Sequence, residues 1–135
     1  MKNSLLLILF LSVFFQACTG SDDHSGAVQT DNGKLWTANP ETTDGIANMQ
    51  VILVKYENET LESGTQDKLK TELENEFQNI FKQCTMKGEA HNQLHNFLVP
   101  MKAMFDGIGS EVPEETTAAV NELSQHLATY KNYFE

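Results

Sequence analysis

The chain is 135 residues long and 40% hydrophobic, with 19 acidic against 9 basic residues, every base a lysine, and two cysteines. A chain of this length builds a single core, which excludes a multidomain enzyme. Its formal charge of −10 argues against nucleic acid as a partner, because phosphate backbones are held by clustered positive charge.

In chain order, the first element is a targeting segment. Lys2 is followed by an apolar run, Leu5 to Phe15, broken only by Ser12 and too short to cross a bilayer as a permanent helix, which is the pattern of a secretory signal. The run ends Phe15-Gln16-Ala17-Cys18, small before the cut and cysteine immediately after it, and this resembles the lipobox of bacterial lipoproteins. Phe15 stands where leucine is usual, a relaxed form similar to that of lipoproteins from Bacteroidota. The resemblance covers residues 1 to 18. It implies a signal peptide over 1–17 and an acylated Cys18 as the mature N-terminus, a membrane anchor whose multiple acyl chains hold at about 0.8 kcal/mol per buried methylene. Thr19 stands where an aspartate would retain an enterobacterial lipoprotein at the inner membrane, and Asp22-Asp23 is similar to the acidic export signal of surface lipoproteins in Bacteroidota. The resemblance therefore implies the outer membrane, at its periplasmic face or at the cell surface. A solvated linker is the other reading of those two acids.

Residues 18–35 are rich in Gly, Ser, Thr and Asp, with too little apolar surface to offset the entropy of ordering, and read as a flexible tether. The folded part is expected over 36–135. Asn39-Pro40-Glu41 opens a helix, with Asn39 as N-cap and Pro40 where its missing N–H costs nothing. Ile46, Met49, Ile52, Leu53 and Tyr56 follow helical spacing, although the β-branched run Val51 to Val54 also suits a strand. After the Ser63-Gly64 turn, Leu69, Leu73, Phe77, Ile80, Phe81 and Cys84 form one stripe. Leu94, Phe97, Leu98, Met101, Met104, Phe105 and Ile108 form a third, kinked by Pro100, and Val120, Leu123, Leu127, Tyr130 and Phe134 a fourth. Four amphipathic segments joined by short turns predict an all-α, up-and-down helical bundle.

The chemistry-bearing residues gather at one corner. Cys84, Met86, His91 and His95 bring a thiol, a thioether and two imidazoles within twelve residues around Gly88, and His91 and His95 are four apart on one helical face. This donor set suits Cu(I) first and Zn(II) second. The competing reading is a buried structural cysteine beside two surface histidines. With Cys18 acylated, Cys84 is the remaining thiol, so no intramolecular disulfide can form in an oxidising envelope. Met49 and His126 match, loosely, the axial pair of a b-type haem bundle. No H-E-x-x-H, phosphate-binding glycine loop or G-x-S-x-G is present, so the expected work is binding rather than catalysis. The sequence thus predicts a lipid-anchored envelope bundle, metal-handling at this corner or else a non-catalytic structural or interaction lipoprotein, with no particular protein partner indicated.

Overall fold

The computed structural model describes residues 26–57, 59–61 and 63–135; the signal segment, Cys18 and Asp22-Asp23 lie outside them. The described chain is a small all-α bundle: α1 (Pro40–Tyr56), α2 (Ser63–Gln83), α3 (Gly88–Leu98), α4 (Met101–Ile108) and α5 (Pro113–Ala128), closed by a 3-10 turn, Tyr130–Asn132. Helix α1 packs along α2 and against α5, while α4 packs along α5 and against α2. The short α3 connects the two halves.

Between strand and helix for the Val51 to Val54 run, the structure takes helix. Met49, Leu53 and Tyr56 recur at helical spacing and are buried, and Val51 and Val54 turn outward. Asn39 precedes α1 with extended backbone and Pro40 opens it, as the sequence predicts. The Asn39 side chain, however, does not cap an α1 amide. It accepts from Thr42 Oγ1 at 2.9 Å and from the Thr85 N–H at 3.3 Å, and its Nδ2 donates to the Gln83 carbonyl at 3.2 Å. It therefore ties the start of α1 to the end of α2, satisfying a carbonyl that the helix end leaves open.

The third stripe is two helices rather than one kinked helix. Pro100 brings no N–H to the helical ladder, and the chain stops at Leu98 and restarts at Met101. Val99 and Pro100 between them keep right-handed helical dihedrals, and Phe97 and Leu98 on one side and Met101, Met104, Phe105 and Ile108 on the other are all buried, so both halves face the core. In α5 the buried stripe is Ala119, Leu123 and Leu127, with Val120 on its flank.

The bundle begins earlier than residue 36. Asp31 and Lys34 exchange two backbone hydrogen bonds of 2.9 Å around Asn32 (φ 51°) and Gly33 (φ 87°), a tight turn that needs two positive φ values in succession. Val28 packs on the core, and the Gln29 N–H donates to the side chain of buried Gln93 at 2.8 Å. The Gln29 carbonyl accepts from Trp36 Nε1 at 2.6 Å. Trp36 then pairs in parallel with Phe134: its N–H donates to the Tyr133 carbonyl at 2.7 Å, and its carbonyl accepts from the Glu135 N–H at 2.9 Å. Long-range hydrogen bonds and the packing of Val28 and Trp36 order a stretch whose own composition predicts a tether. Above this junction Phe97, Tyr130 and Phe134 pack ring against ring, with Tyr130 and Phe134 stacked at 5.0 Å and Phe97 edge-on to Tyr130 at 5.5 Å.

Candidate functional site

The corner between α2 and α3 is built by three constraints. Helix α2 ends at Gln83, and Cys84 still donates its N–H to the Ile80 carbonyl at 2.9 Å, which fixes the thiol at the helix end. Asn39 holds the following strip of backbone through Gln83 and Thr85. Gly88 then turns the chain with φ +62°, a conformation that disfavours any side chain, and α3 starts there.

These constraints bring Cys84 Sγ to 3.6 Å from His91 Nδ1. As the groups stand this is a hydrogen bond, with the donor set by the imidazole tautomer. Both side chains are half-buried, and Met86 is half-buried against the core. The His91 and His95 rings lie 4.4 Å apart between centroids, and His95 meets the Phe81 ring edge-to-face at 5.4 Å. Among the described residues no three His, Cys, Asp or Glu side chains are grouped closely enough to hold a metal ion. The structure thus joins Cys84 with His91 and leaves His95 out of that set.

Glu89, in the first turn of α3, is engaged within its own helix. Gln93 and then Asn92 donate to its carboxylate, holding the carboxyl below its usual range. Gln93 in turn accepts the Gln29 N–H, so the start of α3 is braced against the N-terminal segment. Cys84 also lies within electrostatic reach of Tyr130. Burial raises the Tyr130 phenol above its ordinary value, its hydrogen bond with Thr43 at 3.1 Å lowers it, and charge on Cys84 raises it further.

The haem pair is arranged differently. Met49 is fully buried in the core. His126 lies flat on Phe97 at 4.3 Å, with Nε2 2.7 Å from the Phe97 carbonyl, so the nitrogen an iron would take already has a backbone partner.

Two glutamates of α2, Glu72 and Glu76, engage α1, while Glu74 pairs with Lys70 of its own helix. Glu72 accepts from Lys55 at 2.8 Å and from the Tyr56 hydroxyl at 2.9 Å, and Glu76 accepts from Asn48 at 3.1 Å. Hydrogen bonding by Lys55, then by Tyr56, holds the Glu72 carboxyl below the usual carboxylate range.

No family model, curated protein or solved structure matches the chain. No helix among the described residues is long and apolar enough to cross a membrane.

Proposed function

We propose that this chain is an outer-membrane lipoprotein, anchored through an acylated Cys18, whose acidic helical domain holds a soft metal ion at the α2–α3 corner. The anchor rests on the lipobox-like run ending at Cys18. The observation that carries the metal reading is the 3.6 Å separation of Cys84 Sγ and His91 Nδ1. With bond lengths of about 2.3 Å to sulfur and about 2.0 Å to nitrogen, two donors at that separation subtend about 110° at a shared ion. The angle is bent rather than linear and leaves one side open for a third donor, for which the Met86 thioether is nearest in sequence.

A thiolate, an imidazole and a thioether favour Cu(I). Zn(II), which takes four protein donors at a structural site, lacks a third His, Cys, Asp or Glu here among the described residues. The second reading is a non-catalytic interaction lipoprotein without a metal. It is favoured by the same contact, since a thiol and an imidazole that bond each other are satisfied without an ion.

Two experiments test the proposal. Elemental analysis of the protein purified from the envelope fraction without chelator or affinity tag should give about one equivalent of copper, and a Cys84→Ala, His91→Ala double variant should give none; unchanged copper in that variant overturns the site. Cys18→Ser should release the protein from the membrane and abolish its labelling by palmitate, and retention at the membrane overturns the anchor.

A further inference from the structure

The peptide groups on either side of Cys84 are held by a single side chain from another element. Asn39, just ahead of α1, donates through Nδ2 to the Gln83 carbonyl at 3.2 Å and accepts through Oδ1 from the Thr85 N–H at 3.3 Å. The same Oδ1 accepts from Thr42 Oγ1 at 2.9 Å, and the same Nδ2 donates to Glu41 Oε2 at 2.8 Å. All four hydrogen bonds open to an asparagine amide are thereby made. Their polarity fixes its orientation, because a flipped amide would turn its oxygen toward a carbonyl and a carboxylate. Thr42 is fully buried, which roots the clamp in the interior face of α1. With the Cys84 N–H bonded to the Ile80 carbonyl at 2.9 Å, the backbone around the thiol is held from α1 and α2 together. His91 comes to that thiol from a third element, α3, which Gln93 braces against the Gln29 N–H.

We infer that Asn39 is the positioning residue of the Cys84–His91 pair: it sets where the thiol stands toward the imidazole, and so tunes Cu(I) affinity without touching the ion. The part concerning copper rests on the metal reading of the same corner. A helix end frays where its last carbonyls lack partners, and Asn39 supplies the Gln83 carbonyl with one. The thiol sits just beyond that end, in a non-helical link running from Cys84 to Lys87, so its place depends on how firmly the link is held. Donors to a metal must stand within about 0.5 Å of their productive positions. Hydrogen bonds made outside the coordination sphere supply that precision, and losing one weakens metal affinity about 10- to 100-fold. The coupling runs both ways, since whatever Asn39 adds to copper affinity, bound copper adds to the hold of Asn39 on the link.

The test uses the full chain in detergent micelles and two readouts. In the metal-free protein, the imidazole nitrogen chemical shifts of His91 report whether Nδ1 is engaged by the thiol; with Cu(I) added, competition against a chromophoric chelator reports affinity. Asn39→Ala should move the His91 shifts toward those of a free imidazole and weaken Cu(I) binding at least about tenfold. Asn39→Asp keeps the acceptor for Thr85 and Thr42 but loses the donor to Gln83, and should fall between Asn39→Ala and the parent. Ile108→Val, a core deletion on α4 that lowers stability, should change neither readout, which separates positioning from a general loss of stability. Unmoved His91 shifts in Asn39→Ala, a Cu(I) affinity equal to that of a copper-binding parent, or equal weakening by Ile108→Val would each overturn the inference. A parent that binds no Cu(I), with the His91 shifts still moved by Asn39→Ala, would overturn the metal reading and uphold Asn39 as the residue that positions the pair.

Discussion

Helix α1 has two flanks that solve the same packing problem in opposite ways. Toward α2 it is closed: Gly45 admits Ile80 so closely that a Cβ there would clash with Ile80 Cγ1. Above that contact Asn48 reaches Glu76, and Lys55 and Tyr56 reach Glu72. Toward α5 it packs more loosely, beside a groove in which Glu57 is the one charged lining residue, and Val51 and Val54 stand exposed next to it. One flank is tied by packing and polar contacts, and beside the other two valines stay exposed. The difference teaches that exposed apolar residues on this helix are not failed core positions, since the same helix closes tightly where it has a partner.

The comparison breaks most sharply at Gly45. Gly45→Ala gains helix propensity but forces α1 away from α2, and the clash should win, lowering stability by about 2 kcal/mol in urea denaturation. A stabilised variant would show that the closed flank has slack. A smaller effect is expected at Glu72, whose side chain is 38% exposed; Glu72→Gln should cost about 0.5 kcal/mol at neutral pH, as a partly screened ion pair does.

The Glu72 carboxyl is held low in the folded state, so its contribution is present above the unfolded value of about 4.3 and is lost as pH falls through the folded value. Thermal melts from about pH 6 to about pH 3 should therefore show a shallower acid loss in Glu72→Gln than in the parent, with Glu41 and Glu89, also held low, supplying the remainder. Identical acid limbs would remove Glu72 from the account. The smallest effect belongs to the outer face of α1: Val51→Ser should shift stability by no more than about 0.5 kcal/mol, because most of the side chain is already exposed. A large loss would mean that Val51 supports the fold.

Helical periodicity made most of the bundle legible. Leu69, Leu73, Phe77 and Ile80 are buried on α2, as are Leu123 and Leu127 on α5, because stripes at that spacing have one face to bury. Pro100 announced a disturbance, but whether a proline kinks or divides a helix depends on what each half packs against, which local sequence does not contain. The Asn32-Gly33 turn had a local signature in its two residues suited to positive φ. The pairing of Trp36 with Phe134 had none, since it joins residues from opposite ends of the chain.

At the corner, a separation of seven positions between Cys84 and His91 with a glycine between them was enough to suggest the contact that forms. His95 shares a helical face with His91, yet helical spacing does not reveal that its ring packs on Phe81. The ties of Glu72 were not legible either, because its partners, Lys55 and Tyr56, come from the neighbouring helix, and the register of two antiparallel helices is not written in either alone.

The proposed pairing of Cys84 and His91 on one Cu(I) is tested by an anaerobic titration of the chain from Thr19 onward with Cu(I), in competition with a chromophoric Cu(I) chelator. The account predicts one equivalent bound, lost in Cys84→Ala, weakened at least about tenfold in His91→Ala and unchanged in His95→Ala. No bound Cu(I), or binding by Cys84→Ala equal to that of the parent, would contradict it.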